Sequence, residues 1–212
     1  KATAKAIPSA LKPSRYTKAR YMEIMALLYE LLQKARKEGL MSIEADVEEP
    51  QSSTIFQNYP ALLADTHLME FLTDYLRMMV SGNLNAHEIE ALMDSEIEAH
   101  HAEAHGPVAA LNRLAGALPA FGIIAAVLGV VNTMAFVGQP PAVLGGMIAS
   151  ALVGTFLGIL LAYALVEPMA ALLEQRTQDG AKEYECIKAT LLASMQGYNP
   201  ATAIEFGRKV LF

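Results

Sequence analysis

Three histidines, His100, His101 and His105, stand among Glu96, Glu98 and Glu103 in the string SEIEAHHAEAH. His101 and His105 are four residues apart, the spacing that puts two ligands on one helix face. The string HAEAH lacks the HExxH order that gives zinc hydrolases two ligands and a general base. A polar helix that carries histidines at solvated positions accounts for the run, and no role is assigned to it. The sequence has no glycine-rich phosphate loop and no nucleophile elbow. No catalytic residue, metal site or cofactor is expected, nor a nucleic-acid partner, and the chain does not read as an enzyme.

The other candidates lie elsewhere. Thr155 is a hydroxyl in the middle of a long apolar run. Such a group ordinarily bonds the carbonyl one turn back; lining an ion path is the functional alternative. Arg36 and Glu44 flank a turn at Gly39 in LLQKARKEGLMSIEAD. Charges at an exposed turn are usually solvated surface, as is Glu96 on its acidic helix; contact with a charged partner is the functional alternative. The single cysteine, Cys186, forbids an intrachain disulfide and reads as a small apolar packing residue.

The elements that hold these residues follow from an uneven distribution of charge. Net charge is -6 over 212 residues, 53% of them hydrophobic and 18% charged, yet Leu114 to Val166 contains no Asp, Glu, Lys or Arg. About 20 apolar residues cross a hydrocarbon core as a helix, and a charge at mid-span costs about 2.5 to 3.5 kcal/mol. Two spans are therefore expected, at about 118–137 and 142–166, joined by Gly138, Gln139, Pro140 and Pro141. So short a loop makes them antiparallel. All 16 Lys and Arg residues lie outside this stretch, which places the soluble parts and both termini in the cytoplasm. The expected fold is an all-α membrane protein. It comprises a cytoplasmic helical domain at 1–113, a transmembrane hairpin at 114–168 and a cytoplasmic helical tail at 169–212.

Within the soluble part, Pro8 and Pro13 keep the start irregular. Thr17 is expected to cap a helix to about Glu38, stopped by Gly39, with Met22, Met25, Leu28, Leu32 and Ala35 as its apolar positions. A second amphipathic helix is expected over Ala61–Val80, stopped by Ser81, Gly82 and Asn83, and a third over Asn85–His105. Met169–Met195 and Pro200–Phe212 complete the set.

Each span carries a stripe of small residues: Pro119, Gly122, Ala126, Gly129 and Thr133 in the first, Gly146, Ser150, Gly154, Gly158 and Ala162 in the second. Such stripes let helix backbones approach where apolar burial cannot drive association. Packing between the two spans and assembly of a ring of subunits are both open. Neither span holds Asp, Glu, His, Lys or Arg; a proton path needs a titratable group within the membrane, so a partner must supply the acid. Pro119 and Pro168 are expected at the same cytoplasmic mouth. Pro168 kinks a continuing helix, and Pro119 is an ordinary first-turn proline.

The strings SRYTKARYMEIMALLYELLQKARKEG, SGNLNAHEIEALMDSEIE, LPAFGIIAAVLGVV, VGTFLGILLAYALVEP and GYNPATAIEFGRKVLF occur in order over nearly the whole chain. They resemble the flagellar stator subunits of the MotA/TolQ/ExbB proton channel family. The resemblance implies a homo-oligomer of five copies in the inner membrane, in contact with membrane lipid. Its copies encircle a MotB-like subunit that supplies the proton-carrying aspartate, and they drive a rotor switch protein resembling FliG. It implies rotor contact for Arg36, Glu44 and Glu96, conformational coupling for Pro119 and Pro168, and an ion path at Thr155 and Ala126. Sodium-driven relatives carry threonine where this chain has Ala126, so the resemblance implies protons. An energy transducer of the ExbB or TolQ kind, with periplasmic partners and no rotor, is the alternative. The family carries two spans ahead of SRYTKARYM, and the chain opens on Lys1 with six basic residues before Met22. Two further membrane helices are therefore expected before Lys1.

Overall fold

The computed structural model describes residues 13–82 and 85–211. The basic run before Pro13, with Pro8, lies outside the described residues, as do Asn83 and Phe212. The described residues are helical and contain no strand. They divide into two compact units, one holding Ser14–Glu103 and Arg176–Phe212, the other Ala104–Gln175.

The first unit begins with α1, Lys18–Glu38. The Thr17 hydroxyl accepts the Arg20 N–H at 3.3 Å, satisfying one of the orphan donors of the first turn. Gly39 ends the helix at φ 93°, a conformation that side chains with a Cβ rarely adopt. Its core face is wider than the sequence pattern implies: Ile24, Leu27, Leu28 and Leu31 are all buried, whereas Met22 is exposed. At about 100° per residue Met22 stands roughly 160° around the helix from Ile24, so its place among the core positions is corrected.

A 3₁₀ turn at Leu40–Ile43 leads into α2, Glu44–Glu48, and a second at Phe56–Asn58 into α3, Pro60–Leu63. The following helix, α4, is Thr66–Ser81. The single helix expected over 61–80 is thus two, broken at Asp65. That residue is extended, with ψ 91°, and its carboxylate does not cap α4. Instead it accepts from Arg20 at 2.6 Å and pairs with Arg15 at 3.1 Å. The Arg20 guanidinium also grips Glu183, at 2.5 and 3.0 Å. Glu183 is only 2% exposed. One arginine thus ties α1 to the α3–α4 break and to the later helix that carries Glu183.

The long helix α5 is Ala86–Met134. Its start is a capping box: Asn85 accepts the Glu88 N–H at 3.0 Å, and Glu88 accepts the Asn85 N–H at 2.9 Å. The soluble helix expected to end near His105 and the first span are therefore one continuous helix. The helix stops at Met134, where Ala135 and Phe136 bond back to Asn132 and Thr133 as turns. Pro141 opens α6, Pro141–Leu161; a π turn at Ala162–Val166 follows, then α7, Glu167–Met195, and α8, Pro200–Leu211. Two helical segments, in Ala86–Met134 and Pro141–Met195, are long and apolar enough to cross a membrane.

The first unit's core joins Leu28 and Leu31 of α1, Leu72 and Leu76 of α4, Ile89 and Met93 of α5, and Ile187 and Leu191 of α7. Cys186 is buried beside Tyr21, Met25 and Leu211, and burial pushes its thiol up to about 12.

Burial raises the carboxyl pKa of Glu183 above the usual range, with Arg20 pulling it down. A raised folded-state pKa contributes stability that is present below the ordinary glutamate pKa of about 4.3 and lost as pH rises through the folded value. Arg20→Met leaves that carboxylate buried and alone, so the variant is expected to lose about 3–5 kcal/mol at neutral pH. Part of the loss should return as pH falls through the Glu183 titration. Thermal melts of the detergent-solubilised protein at neutral and mildly acidic pH check this; a deficit independent of pH refutes the assignment.

Candidate functional site

The apolar helices of the second unit meet at their glycines. A Cβ on Gly122 stands 2.8 Å from the Gly154 carbonyl oxygen, and one on Gly158 stands 2.7 Å from the Leu118 carbonyl oxygen. A Cβ on Gly129 meets the Ala151 methyl at 2.5 Å. Only glycine allows backbones this close. Gly122 meets Gly154 and Gly158, whereas the later Gly129 meets the earlier Ala151, so α5 and α6 run in opposite directions here.

The first stripe faces α6 along its length. Gly122, Ala126 and Thr133 are buried, and Pro119 and Gly129 half-buried. Its alternating three- and four-residue steps drift by only about 20° every seven residues. The second stripe behaves differently. Gly154, Gly158 and Ala162 face α5, but Ser150 is exposed and Gly146 has open space around it. Uniform four-residue steps drift by about 40° each, and three of them carry Gly146 off the contact. Ala151 takes the place, a residue the sequence pattern passed over.

Thr155, half-buried, does not bond one turn back. Its hydroxyl donates across the pair to the Gly122 carbonyl at 3.4 Å. Thr133 and Ser150 do bond one turn back, to Gly129 at 2.9 Å and Gly146 at 3.0 Å. Thr155 and Gly122 thus form a polar link between the two apolar helices, and a link this long is readily exchanged for a stronger acceptor. Ala126 is buried against α6 one turn from Gly122.

Pro119 and Pro168 are not level with each other. Gly122 lies against Gly158, while Val108 and Leu111 cluster with Ala170 and Leu173, which sets Pro168 roughly two turns, about 11 Å, beyond Pro119. Pro119 is inside α5, not at a helix start, so the first-turn reading is corrected. Pro168 is exposed and stands two residues after the end of the π turn. Its ring crowds the carbonyl four residues back, at Ala164, and it has no N–H to give; a widened turn is the known accommodation.

In the first unit, Arg36 and Glu44 are exposed on either side of Gly39 and make no ion pair among the described residues. Arg36 lies in the last turn of α1 and Glu44 in the first turn of α2, where each charge is favourable to its helix terminus. Glu96 is engaged: it accepts the Tyr75 hydroxyl at 2.7 Å. Burial, and then this carboxylate, raise the Tyr75 pKa. His100 packs against His67, with ring centroids 6.1 Å apart, and against Tyr184 at 4.9 Å. Burial and the neighbouring His67 lower its pKa. Among the described residues no cluster of His, Cys, Asp or Glu is placed to hold a metal. The Arg20–Asp65–Glu183 link was not foreseen, since partners so far apart in sequence leave no local pattern.

Comparison with known proteins gives this arrangement a context. The profile of the MotA/TolQ/ExbB proton channel family matches residues 63–186, and that of the Motility protein A N-terminal region matches 1–39. The chain is 51% identical to Motility protein A of Salmonella typhimurium over 212 residues, the whole of this chain and 72% of that protein. It is 50% identical to the Escherichia coli protein of the same name, with the same coverage. The solved structure of the flagellar MotAB stator complex from Bacillus subtilis matches with a TM-score of 0.74 and 25% identity, over all of this chain and 75% of that one.

The glycine contacts give a direct test. Gly158→Ala places a methyl 2.7 Å from a backbone oxygen, and overpacking of this kind costs about 1–3 kcal/mol. It should lower the melting temperature of the solubilised protein. Gly146→Ala, which meets nothing within 4 Å, should not. Equal melting of the two variants is the result that counts against the contact.

Proposed function

The chain belongs to the MotA/TolQ/ExbB proton channel family and is a bacterial inner-membrane stator subunit of the flagellar motor, and we propose how its residues divide that work. It is not an enzyme. The observation that carries the proposal is the Thr155–Gly122 contact in a helix pair that holds no Asp, Glu, His, Lys or Arg. A proton crossing such a pair needs an acid from elsewhere. A MotB-like partner with one membrane aspartate is that source, in keeping with the B. subtilis MotAB complex. Five copies of this chain surround it, with soluble parts and termini in the cytoplasm and outer faces against lipid.

Thr155 offers the passing proton or its water a hydroxyl it can trade for the long bond to Gly122, and Ala126 beside it supplies no oxygen to ligate sodium. Pro119 and Pro168 bracket the π turn at Ala162–Val166. A π turn can refold to an α turn by shifting hydrogen bonds by one residue, so this is the point where ion occupancy bends the helix. Arg36 and Glu44, unpaired at the Gly39 turn, meet a rotor switch protein resembling FliG. Glu96 contributes less directly, because Tyr75 already holds its carboxylate.

Three measurements test the reading. Thr155→Val should lower swimming speed and proton flux about tenfold, the factor that loss of one ~1.4 kcal/mol hydrogen bond gives, while Thr155→Ser restores most of both. Speed should fall with a protonophore and ignore external sodium; sodium-dependent speed at constant membrane potential overturns the choice of ion. Arg36→Glu should weaken torque without unfolding the subunit, and a charge reversal on the rotor protein should recover part of it. Full swimming in Arg36→Glu and in the double variant with Glu44→Lys refutes the rotor contact.

A further inference from the structure

His100 of α5 meets His67 of α4 within the first unit, with ring centroids 6.1 Å apart and planes at 68°. The rings continue from there. His100 lies 4.9 Å from Tyr184 of α7, Tyr184 lies 4.9 Å from Phe71, and Phe71 lies 4.8 Å from Tyr75. Tyr75 gives its hydroxyl to Glu96, one turn before His100 on α5. The two imidazoles thus end a seam of rings that joins α4, α5 and α7. They line a cavity of about 70 Å³ together with Glu70, Glu96 and Tyr184, room enough for water. Both are exposed, so protons reach them. Groups of both signs face His100. Glu103 on its own helix and Asp65 ahead of α4 favour its cation, as do Glu70 and Glu96 in the cavity; His67 and Arg15 oppose it. Burial and then His67 prevail, and the His100 pKa lies below the ordinary histidine value. A depressed histidine contributes stability that is complete above its ordinary pKa of about 6.5 and is lost as pH falls towards the folded value.

We propose that His67 and His100 form an acid sensor in the soluble part of the subunit: when both take protons, two cations face each other between α4 and α5, the contact between these helices loosens, and the stator slows. The inference rests on the stator reading above and adds regulation to it. Histidine is the side chain whose charge changes just below neutral pH. One imidazolium is tolerated among Glu70, Glu96 and Glu103; the second makes the contact repulsive, so the response waits for distinct acidification. α5 is a single helix from Ala86 to Met134. The residue that takes the proton and the Gly122 level that meets α6 therefore belong to one element. A stator driven by protons releases them on the side where these histidines are exposed, and acid there means that inflow has outrun removal.

Two variants separate the sensor from mere packing. His100→Phe keeps a ring against Tyr184 but takes no proton, and His67→Gln removes the second cation at an exposed position. In the solubilised full protein, hydrogen exchange of α4, corrected for its intrinsic pH dependence, is compared at about pH 7.5 and about pH 5.5, either side of the ordinary histidine value. Acid should raise opening about threefold in the parent, the factor that like charges about 6 Å apart in water give, and should not do so in either variant. In cells, internal and external pH are lowered together, so that the proton gradient is unchanged. The parent should then slow more than His100→Phe and His67→Gln. Equal slowing in all three overturns the sensor, and so does equal exchange. If His100→Phe melts lower than the parent at neutral pH, His67→Gln decides by the same two readouts. Exchange that separates the variants while speed does not also sinks the proposal, because the device then fails to act on the motor. If deleting the gene leaves swimming intact, the stator reading itself has failed, a result distinct from equal slowing.

Discussion

The closeness of two backbones at Gly122 and Gly158 is the constraint on which the helix pair depends. In lipid there is no gain from burying one apolar side chain against another, because the tails are equally apolar. What remains is dispersion between surfaces in contact and the few hydrogen bonds that reach across. Glycines facing each other maximise the first and make the second possible: with a side chain at Gly122, the Thr155 hydroxyl would not lie 3.4 Å from that carbonyl. The exposed positions of the same helices, including Phe121, Val127, Leu152 and Phe156, are large and apolar, suited to lipid or to other helices.

The first unit solves the opposite problem. It has water to drive burial, and its core is built mainly from apolar side chains of α1, α4, α5 and α7. Its order is fixed by charge. Arg20 holds Asp65 and Glu183 at once, and removal of Arg20 leaves the buried Glu183 carboxylate without its partner. Such a link stabilises less than an apolar replacement would, yet it specifies which helices meet.

Much of this was legible in the sequence because it is local. Thr17 and Gly39 mark the ends of α1 by their own backbone preferences, and the uncharged run from Leu114 to Val166 marks the apolar helices by composition. The first small-residue stripe could be read because its spacing follows the helix period. The rest was illegible for stated reasons. The break at Asp65 depends on arginines at positions 15 and 20, and no window around Asp65 contains them. The second stripe misled because four-residue steps outrun the helix period, so Ala151 displaced Ser150 from the contact. The fate of the Thr155 hydroxyl was set by the other helix, which a rule about one helix cannot foresee.

The π turn joins these two accounts. Pro168 cannot donate a hydrogen bond to Ala164, and a continuous α-helix would leave that carbonyl crowded and unpaired. Widening the preceding turn at Ala162–Val166 relieves the crowding, and Ala162, fully buried at the contact with α5, supplies the small side chain that a wider turn needs room for. The wide turn falls between the Gly158 contact and the Ala170 cluster, so the helix is pinned on both sides of its weakest point. A helix held by packing on both sides of a widened turn has its least regular hydrogen bonding at that turn, between the Thr155 level and the Ala170 level.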